Sequence, residues 1–251
     1  MPISKEKFNR EGKSVIKKMN PDERFNYLIE NFQSYFEKFE NNNPFTGPSE
    51  YFYINKIIPA TNDDYSAVFT NENIEWIYAT LASWGMHRMG PSDMGAKMND
   101  FKLFKKCIIQ NEDNILSLKD LKLHEVNIVD YMDDINDLYF SFWPLMESNS
   151  KLVATSKVMH FLLPKLIPPI DRQYTMKFFG KNIPTIKSAE DKKNIVKENQ
   201  IFQYTLNKFY HISQEVDCTQ FINSEFSPTV PKVIDNAIVS FGIEKKKMME
   251  K

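Results

Sequence analysis

Two ionisable side chains lie at positions where each could take part in a reaction. Asp171 stands where a helix is predicted to begin, directly after Pro168, Pro169 and Ile170. A helix dipole keeps a carboxylate at this place ionised, so that it can stabilise a positive charge or activate a nucleophile. The alternative is that Asp171 only caps the helix, a contact worth about 1 kcal/mol.

Lys157 is the second of these residues and the one lysine in the otherwise apolar stretch 152–163. An amine in apolar surroundings can act as a nucleophile and form a Schiff base. Alternatively, the stem of Lys157 packs in the core while its ammonium group pairs with a carboxylate or a phosphate. We favour the second interpretation, in which Lys157 is an assisting or structural cation.

Both residues belong to the stretch 148–180, whose pattern predicts a helix, a proline-rich turn and a second helix. Asn149 or Ser150 can cap the first helix by accepting a backbone N–H. This helix is apolar on nearly every side, so we expect it to be buried. Pro164 should end it, and Gly180 should end the second helix.

The order of these elements resembles the C-terminal half of the helix-hairpin-helix DNA glycosylases. Residues 169–171 (Pro-Ile-Asp) match the proline-hydrophobic-Asp turn of that family, and residues 172–180 match the helix that follows it. Two features depart from the family. Lys157 is closer to Asp171 in sequence than the family lysine is to its aspartate. Residues 151–154 (Lys-Leu-Val-Ala) stand where the family has a glycine hairpin.

The resemblance implies an all-α fold of two helical lobes around a cleft, and an enzyme that removes a damaged or modified base from double-stranded DNA. In this family the target nucleotide is flipped out of the duplex and its N-glycosidic bond is cleaved. Asp171 would stabilise the positive charge that develops on the sugar, with Lys157 beside it. The residues expected to contact the DNA backbone are Ser150, Lys151, Arg172 and Gln173.

The loop at residues 84–91 is a further candidate for DNA contact, because in this family the loop after an early core helix enters the duplex. Trp84 can stack on a base, and Met86 can wedge between base pairs. His87 and Arg88 can reach a base edge or a phosphate. The alternative is that Trp84 completes the apolar face of the preceding helix, while His87 and Arg88 are simply solvated.

Charge is unevenly distributed along the chain, although the formal net charge is only −1. Residues 111–150 contain nine Asp and Glu against two Lys and Arg, whereas residues 151–210 contain eleven Lys and Arg against four Asp and Glu. A phosphate backbone would be attracted to the second block and repelled by the first. The alternative is that the lysines of the second block form a solvated helix face.

Composition limits the cofactors and the compartment. The chain contains two cysteines, Cys107 and Cys218, too few for a disulfide scaffold or for a four-cysteine iron–sulfur or zinc site within one chain. The four histidines are scattered, so we expect no metal and no other cofactor. Free thiols, a charged N-terminus and the absence of a long apolar run favour a cytoplasmic protein without a membrane partner, which we expect to be monomeric.

Apolar spacing predicts further helices at about 22–40, 71–84, 98–108, 113–123, 128–142, 190–213 and 233–241. Gly85 and Gly242 are expected to end two of them. Residues 51–58 are ambiguous between a short strand and a packed loop. The predicted organisation is a mobile basic arm at 1–20, one helical domain at 21–242 with lobes at 71–147 and at 21–70 plus 148–242, and a charged tail at 243–251.

Two other functions remain open at this point. The missing glycine hairpin is compatible with an inactive helical module that binds nucleic acid, and a helical protein-interaction domain is a third possibility. Several enzyme classes are excluded, because the sequence has no glycine-rich phosphate loop, no serine nucleophile elbow and no pair of histidines on one helix.

Overall fold

The computed structural model describes residues 19–42, 47–62, 65–86, 98–145, 150–186, 190–223 and 225–249. Throughout these ranges the chain forms helices joined by turns and loops, and it contains no strand or sheet. The prediction of an all-α protein is therefore confirmed. The division into two lobes stays a prediction.

The first half of the described chain contains seven short helices. They are α1 (Pro21–Glu30), α2 (Phe32–Asn42), α3 (Pro48–Phe52), α4 (Ile58–Asn62), α5 (Asn71–Leu81), α6 (Phe101–Gln110) and α7 (Glu112–Leu118). Two π-helical turns, Tyr53–Ile57 and Ala82–Met86, follow α3 and α5. A 3₁₀ turn at Tyr65–Phe69 precedes α5.

The second half of the described chain contains five helices, of which the last two are long. They are α8 (Met132–Ser141), α9 (Leu152–Leu162), α10 (Thr175–Phe178), α11 (Lys192–Glu215) and α12 (Val230–Met249). A 3₁₀ turn at Ile128–Tyr131 precedes α8, a second at Trp143–Leu145 follows it, and a third at Cys218–Phe221 lies between α11 and α12.

Side-chain caps explain where several helices begin. Asn20 accepts hydrogen bonds from the backbone N–H groups of Asp22 and Glu23, and the Glu23 carboxylate accepts one from the Asn20 N–H, which together form a capping box. Thr70 caps α5, because its Oγ1 accepts a hydrogen bond from the Asn73 N–H. The predicted helix 22–40 is in fact two helices, because the chain turns at Asn31, whose side chain bonds the Tyr27 carbonyl.

The possible strand at residues 51–58 is wrong, because this segment is helical from α3 to α4. Pro48 occupies the first turn of α3, where its missing N–H costs nothing. The buried residues Tyr53 and Ile57 are four positions apart, and the adjacent Ile58 is buried too. This spacing fits one face of a helix and not the alternation of a strand. The aromatic and β-branched residues of this segment are typical of a strand. Packing against neighbouring residues, and not this propensity, decides the structure of such short segments.

Only one of the three glycines predicted to end helices does so. Gly85 does not end a helix, because it lies within the π-helical turn Ala82–Met86. Gly180 adopts a left-handed conformation with φ of 62° and ends α10, as predicted. Gly242 does not end α12, which continues to Met249. A Cβ atom at position 242 would lie 2.8 Å from Cδ1 of Tyr174. The missing side chain of Gly242 therefore provides room for Tyr174.

Buried apolar residues from Met19 to Phe241 form one hydrophobic cluster. Helix α9 packs against α5, α8 and α11, while α12 packs against α2, α10 and α11. The prediction that α9 is buried on nearly every side is confirmed, since all its residues except Val153 are buried. Within the part of the chain that is described, no helix is both long enough and apolar enough to cross a membrane.

Candidate functional site

Asp171 is partly exposed and begins the turn that leads into α10. Its Oδ1 accepts a hydrogen bond of 2.7 Å from the backbone N–H of Tyr174, and its own N–H donates to Oγ1 of Thr175 at 3.3 Å. The preceding N–H, of Ile170, donates to Oγ of Ser156 on α9. Asp171 therefore caps the turn at residues 172–174 and not α10 itself, which is shorter than the helix that the sequence predicts, begins at Thr175 and has no side-chain cap.

Lys157 is buried, with 8% of its surface exposed. Its ammonium Nζ donates to the carbonyl oxygen of Trp84 at 3.4 Å and lies 5.3 Å from the centroid of the indole ring. A cation at this distance from an aromatic face is attracted by the ring electrons. These contacts support the interpretation of Lys157 as a packed cation.

Trp84 lies between aromatic residues and a second lysine. Its ring is 4.9 Å from that of Phe161 and 5.6 Å from that of Tyr53, measured between centroids. Nζ of Lys232 lies 5.5 Å from the indole centroid. Trp84 thus completes the apolar face of its helix, as the alternative interpretation predicts, while part of its surface stays exposed.

Lys232 and Asp235 form a buried ion pair on the first turns of α12. Nζ of Lys232 donates to Oδ2 of Asp235 at 2.8 Å, and the two residues are only 7% and 5% exposed. Burial raises the pKa of the Asp235 carboxyl group. The Lys232 charge opposes this increase, the Asp171 charge adds to it and the Lys157 charge again opposes it.

Lys157 and Lys232 therefore lie beside one indole ring, and the charges of Lys157, Lys232 and Asp171 all act on the Asp235 carboxyl group. They come from α9, from the turn before α10 and from α12. We refer to Trp84, Lys157, Asp171, Lys232 and Asp235 together as the Trp84 cluster. Of its four charged members, Asp171 is the one with substantial access to solvent.

A neutral hydrogen-bonded pair lies next to the Trp84 cluster. Oη of Tyr53 and Nε2 of His160 are 2.7 Å apart, and Nδ1 of His160 lies 2.6 Å from the Ile167 carbonyl oxygen. Since a carbonyl only accepts, Nδ1 carries the hydrogen and Nε2 accepts from Tyr53. Burial lowers the pKa of His160 to about 3, and the Lys232 charge contributes to this shift. His160 is a satisfied core histidine, as its position predicts.

A different carboxylate occupies the N-terminal end of α9. Oε1 of Glu198, from α11, accepts hydrogen bonds from the Leu152 N–H and from Oγ of Ser150. Glu198 is fully buried, and burial raises its pKa against the opposing effects of these donors, the Lys151 N–H and the Lys151 charge. Ser150 and Lys151 were expected to contact DNA, but here their polar groups contact Glu198. Their binding of DNA stays a prediction.

The structure places the remaining candidates as follows. Arg172 and Gln173 are exposed directly beside Asp171. Met86 ends the π-helical turn that carries Trp84, while His87 and Arg88 lie outside the described residues. Asp171 and Lys157 are thus placed near the same middle turns of α9, since Ser156 bonds the Ile170 N–H, and Lys157 contacts Trp84. Ser150 and Lys151 lie at the N-terminal end of α9, where Ser150 bonds Glu198.

Sequence reasoning missed Lys232, Asp235 and Glu198. The first two carry a detectable signal, because they stand three positions apart in a helix whose other residues between 230 and 241 are mostly apolar. Glu198 has no such sequence signal, because it belongs to a helix with many charged residues and its partner, the Leu152 N–H, lies 46 positions away.

No group of three or more His, Cys, Asp or Glu side chains that could hold a metal ion occurs in the described ranges. Comparison with protein-family models, with curated proteins and with solved structures found no match to this chain.

Proposed function

We propose that this protein is a DNA glycosylase that removes a damaged or modified base, with Asp171 as the carboxylate that faces the sugar. One observation supports the proposal most strongly. Asp171 is partly exposed, while the charged groups around it, Lys157, Lys232 and Asp235, are buried. Buried charges are costly, and a group of them beside an accessible carboxylate makes that carboxylate a candidate for a reactive group.

The chemistry follows from the position of that carboxylate. When the bond between C1′ of the sugar and the base breaks, the base leaves with the bonding electron pair and takes up a proton. Positive charge develops on the sugar, and a negative group at short range stabilises it. Asp171 can also accept the proton of the water whose oxygen then bonds to C1′. The Tyr174 N–H fixes Oδ1 and leaves Oδ2 without a hydrogen bond from the described residues.

The surface near Asp171 offers groups that can contact a DNA backbone. Arg172, Gln173 and Lys177 are exposed around α10. Lys192, Lys193 and Lys197 are exposed elsewhere, on the first turns of α11, the helix whose Glu198 bonds the N-terminal end of α9. Long basic side chains such as these neutralise phosphates and give binding that weakens with added salt. The N-terminus of α9 is less suited to this role, because Glu198 already bonds it.

The test is release of bases from a panel of duplexes, each with one damaged or modified base, followed by chromatography of the free base. We expect release from at least one duplex. Asp171→Asn should slow that release by about 100-fold or more, since it removes the negative charge facing the sugar. An unchanged rate in this variant would contradict the proposal.

Asp100→Asn is the matched control. Asp100 caps α6 through the N–H groups of Lys102 and Leu103, and Asn is as good a cap as Asp. We therefore expect the control variant to release bases at the rate of the unmodified protein. A loss of activity in both variants would mean that capping, and not charge at residue 171, is what the assay reports.

A second candidate is an inactive nucleic-acid-binding module on the same scaffold. It is favoured by the hydrogen bond from Tyr174 to Asp171, because a purely capping carboxylate would make the same contact. This candidate predicts DNA binding that falls with added salt, no base release from any duplex, and unchanged affinity in Asp171→Asn. A helical protein-interaction domain would instead show no binding in a gel shift at low salt.

A further inference from the structure

The ion pair of Lys232 and Asp235 is difficult to explain as a device for stability. Both side chains are buried on a helix whose neighbouring residues Val233, Ile234 and Ala237 are buried and apolar. Removing two charges from water can cost more than their attraction returns, and apolar residues of similar size often replace such pairs without loss. The position of the pair, beside Trp84 and within electrostatic reach of Asp171, indicates what else it could do.

We infer that Asp235 is a positioning residue for the proposed reaction: it neutralises and fixes the Lys232 ammonium group, so that this cation does not oppose the positive charge forming on the sugar beside Asp171. This inference rests on the proposed function. It assigns a task to a residue that does not touch the substrate and acts through Lys232.

The charge balance of the Trp84 cluster supports this assignment. Two ammonium groups, Lys157 and Lys232, face two carboxylates, Asp171 and Asp235, so that the fully ionised cluster is neutral. Without Asp235 the cluster would carry a net positive charge. Coulomb interactions are strong in such a buried setting, and an excess cation near the sugar would raise the energy of the transition state.

The geometry also explains why Lys232 needs a fixed partner. Its Nζ lies 2.8 Å from Oδ2 of Asp235 and 5.5 Å from the Trp84 centroid, so the carboxylate holds the ammonium against the indole. Lys157 contacts the same indole and the Trp84 carbonyl. Movement of Lys232 would therefore disturb Trp84, which is the partly exposed aromatic member of the cluster.

The experiment compares rates of base release in single-turnover assays with enzyme in excess over duplex. Asp235→Asn keeps the shape of the side chain and leaves the Lys232 charge without compensation. We expect about a tenfold or greater decrease in rate, with little change in the affinity for DNA. In Lys232→Met/Asp235→Asn the same asparagine is present but the excess cation is gone, so this double variant should be faster than Asp235→Asn. Asp235→Glu, which restores the carboxylate, should also be faster.

Glu125→Gln is the control for loss of an ion pair as such. Lys122 and Glu125 are also three positions apart and also 2.8 Å apart, but both are exposed and lie on another part of the chain. We expect this variant to release bases at the unmodified rate.

The pH profile adds a measurement that a merely structural pair would not change. The groups that act on Asp235 are Lys232 on its own helix, Lys157 on α9, Asp171 before α10, and Tyr53, while the neutral His160 on α9 faces Lys232. Because burial raises the pKa of Asp235, acidification protonates it and reproduces the excess cation. We expect the rate of the unmodified protein to fall with decreasing pH earlier than that of the double variant. This comparison does not require Asp235→Asn to fold.

Three results would overturn the inference. The first is an Asp235→Asn rate equal to that of the unmodified protein, and the second is a double variant as slow as Asp235→Asn. The third is an identical acid limb in the double variant and the unmodified protein. A failure of the proposed function looks different, because the unmodified protein would then release no base from any duplex.

Discussion

The N-terminal end of α9 and its middle turns both bury charge, but they differ in what reaches solvent. At the N-terminal end, Glu198 bonds the Leu152 N–H and the Ser150 hydroxyl, and the carboxylate is fully buried. Two turns later, Lys157 belongs to the Trp84 cluster, where Asp171 is partly exposed. Both carboxylates accept a backbone N–H near the start of a helix.

The difference teaches that a hydrogen bond to a backbone N–H does not by itself identify a functional carboxylate. Glu198 satisfies an orphan donor of α9 and closes that helix end, which is a structural task. Asp171 satisfies one donor through Oδ1 and remains accessible among three buried charged groups. The two carboxylates differ in their exposure to solvent and in their charged neighbours, and substitution of each carboxylate tests this difference.

The largest expected effect on stability is that of Glu198→Ala. It removes the acceptor of a buried N–H and leaves a cavity, so we expect a loss of about 3 kcal/mol in the free energy of unfolding. Asp171→Ala should cost only about 1 kcal/mol, the value of a cap. Urea unfolding at pH 7 measures both values. Equal losses would break the distinction between the two carboxylates.

The next effect is a loss, on acidification, of the stability that the neutral His160 contributes. Its folded pKa of about 3 lies below the ordinary value of 6.5, so the unfolded chain binds more protons between these two values. Stability from this residue is present above pH 6.5 and is lost as the pH falls towards 3. The unmodified protein should therefore lose stability relative to His160→Gln between pH 7 and pH 5. A constant difference between the two would argue against the buried, neutral histidine.

Glu198 should show the opposite sign. Its folded pKa is raised by burial, so the folded protein binds more protons than the unfolded chain as the pH falls through that value. On acidification the unmodified protein should gain stability relative to Glu198→Gln. Over the same pH range it should lose stability relative to His160→Gln. Urea unfolding of the three proteins at pH 7 and pH 5 checks both signs, and a common sign would contradict one assignment.

A smaller effect than that of Glu198→Ala is expected from Tyr53→Phe. This change removes the O–H that donates to Nε2 of His160 and leaves a buried acceptor without a partner, at a cost of about 1–2 kcal/mol. Tyr51→Phe is the control, because Tyr51 is 61% exposed and the change should be nearly neutral. Thermal unfolding of both variants measures the difference. A similar effect in the two would mean that the Tyr53–His160 bond contributes little.

Local sequence signals predicted much of the fold. The helix end at Gly180 depends on a few neighbouring residues and lies where the sequence predicts it. The buried character of α9 is also visible from its apolar residues. The segment 51–58 and the helix end at Gly242 were wrong, because packing against distant elements decides both.

The site was predictable only in part, for the same physical reason. Asp171 and Lys157 stand out because each is a charged residue in an unusual local setting. Lys232, Asp235 and Glu198 gain their meaning from elements that are far away in sequence, and no local pattern reports such contacts. Pairing of charges across a core is a property of the tertiary structure.

The space left by Gly242 links the last helix to the reaction that we propose. Tyr174 fits against the backbone of α12 at this point, and the N–H of the same tyrosine holds Oδ1 of Asp171. A methyl group at residue 242 would push the tyrosine ring aside and, with it, the donor that aims the carboxylate. An inherited change at residue 242 could in this way alter the proposed reaction without altering any group that we propose to contact DNA.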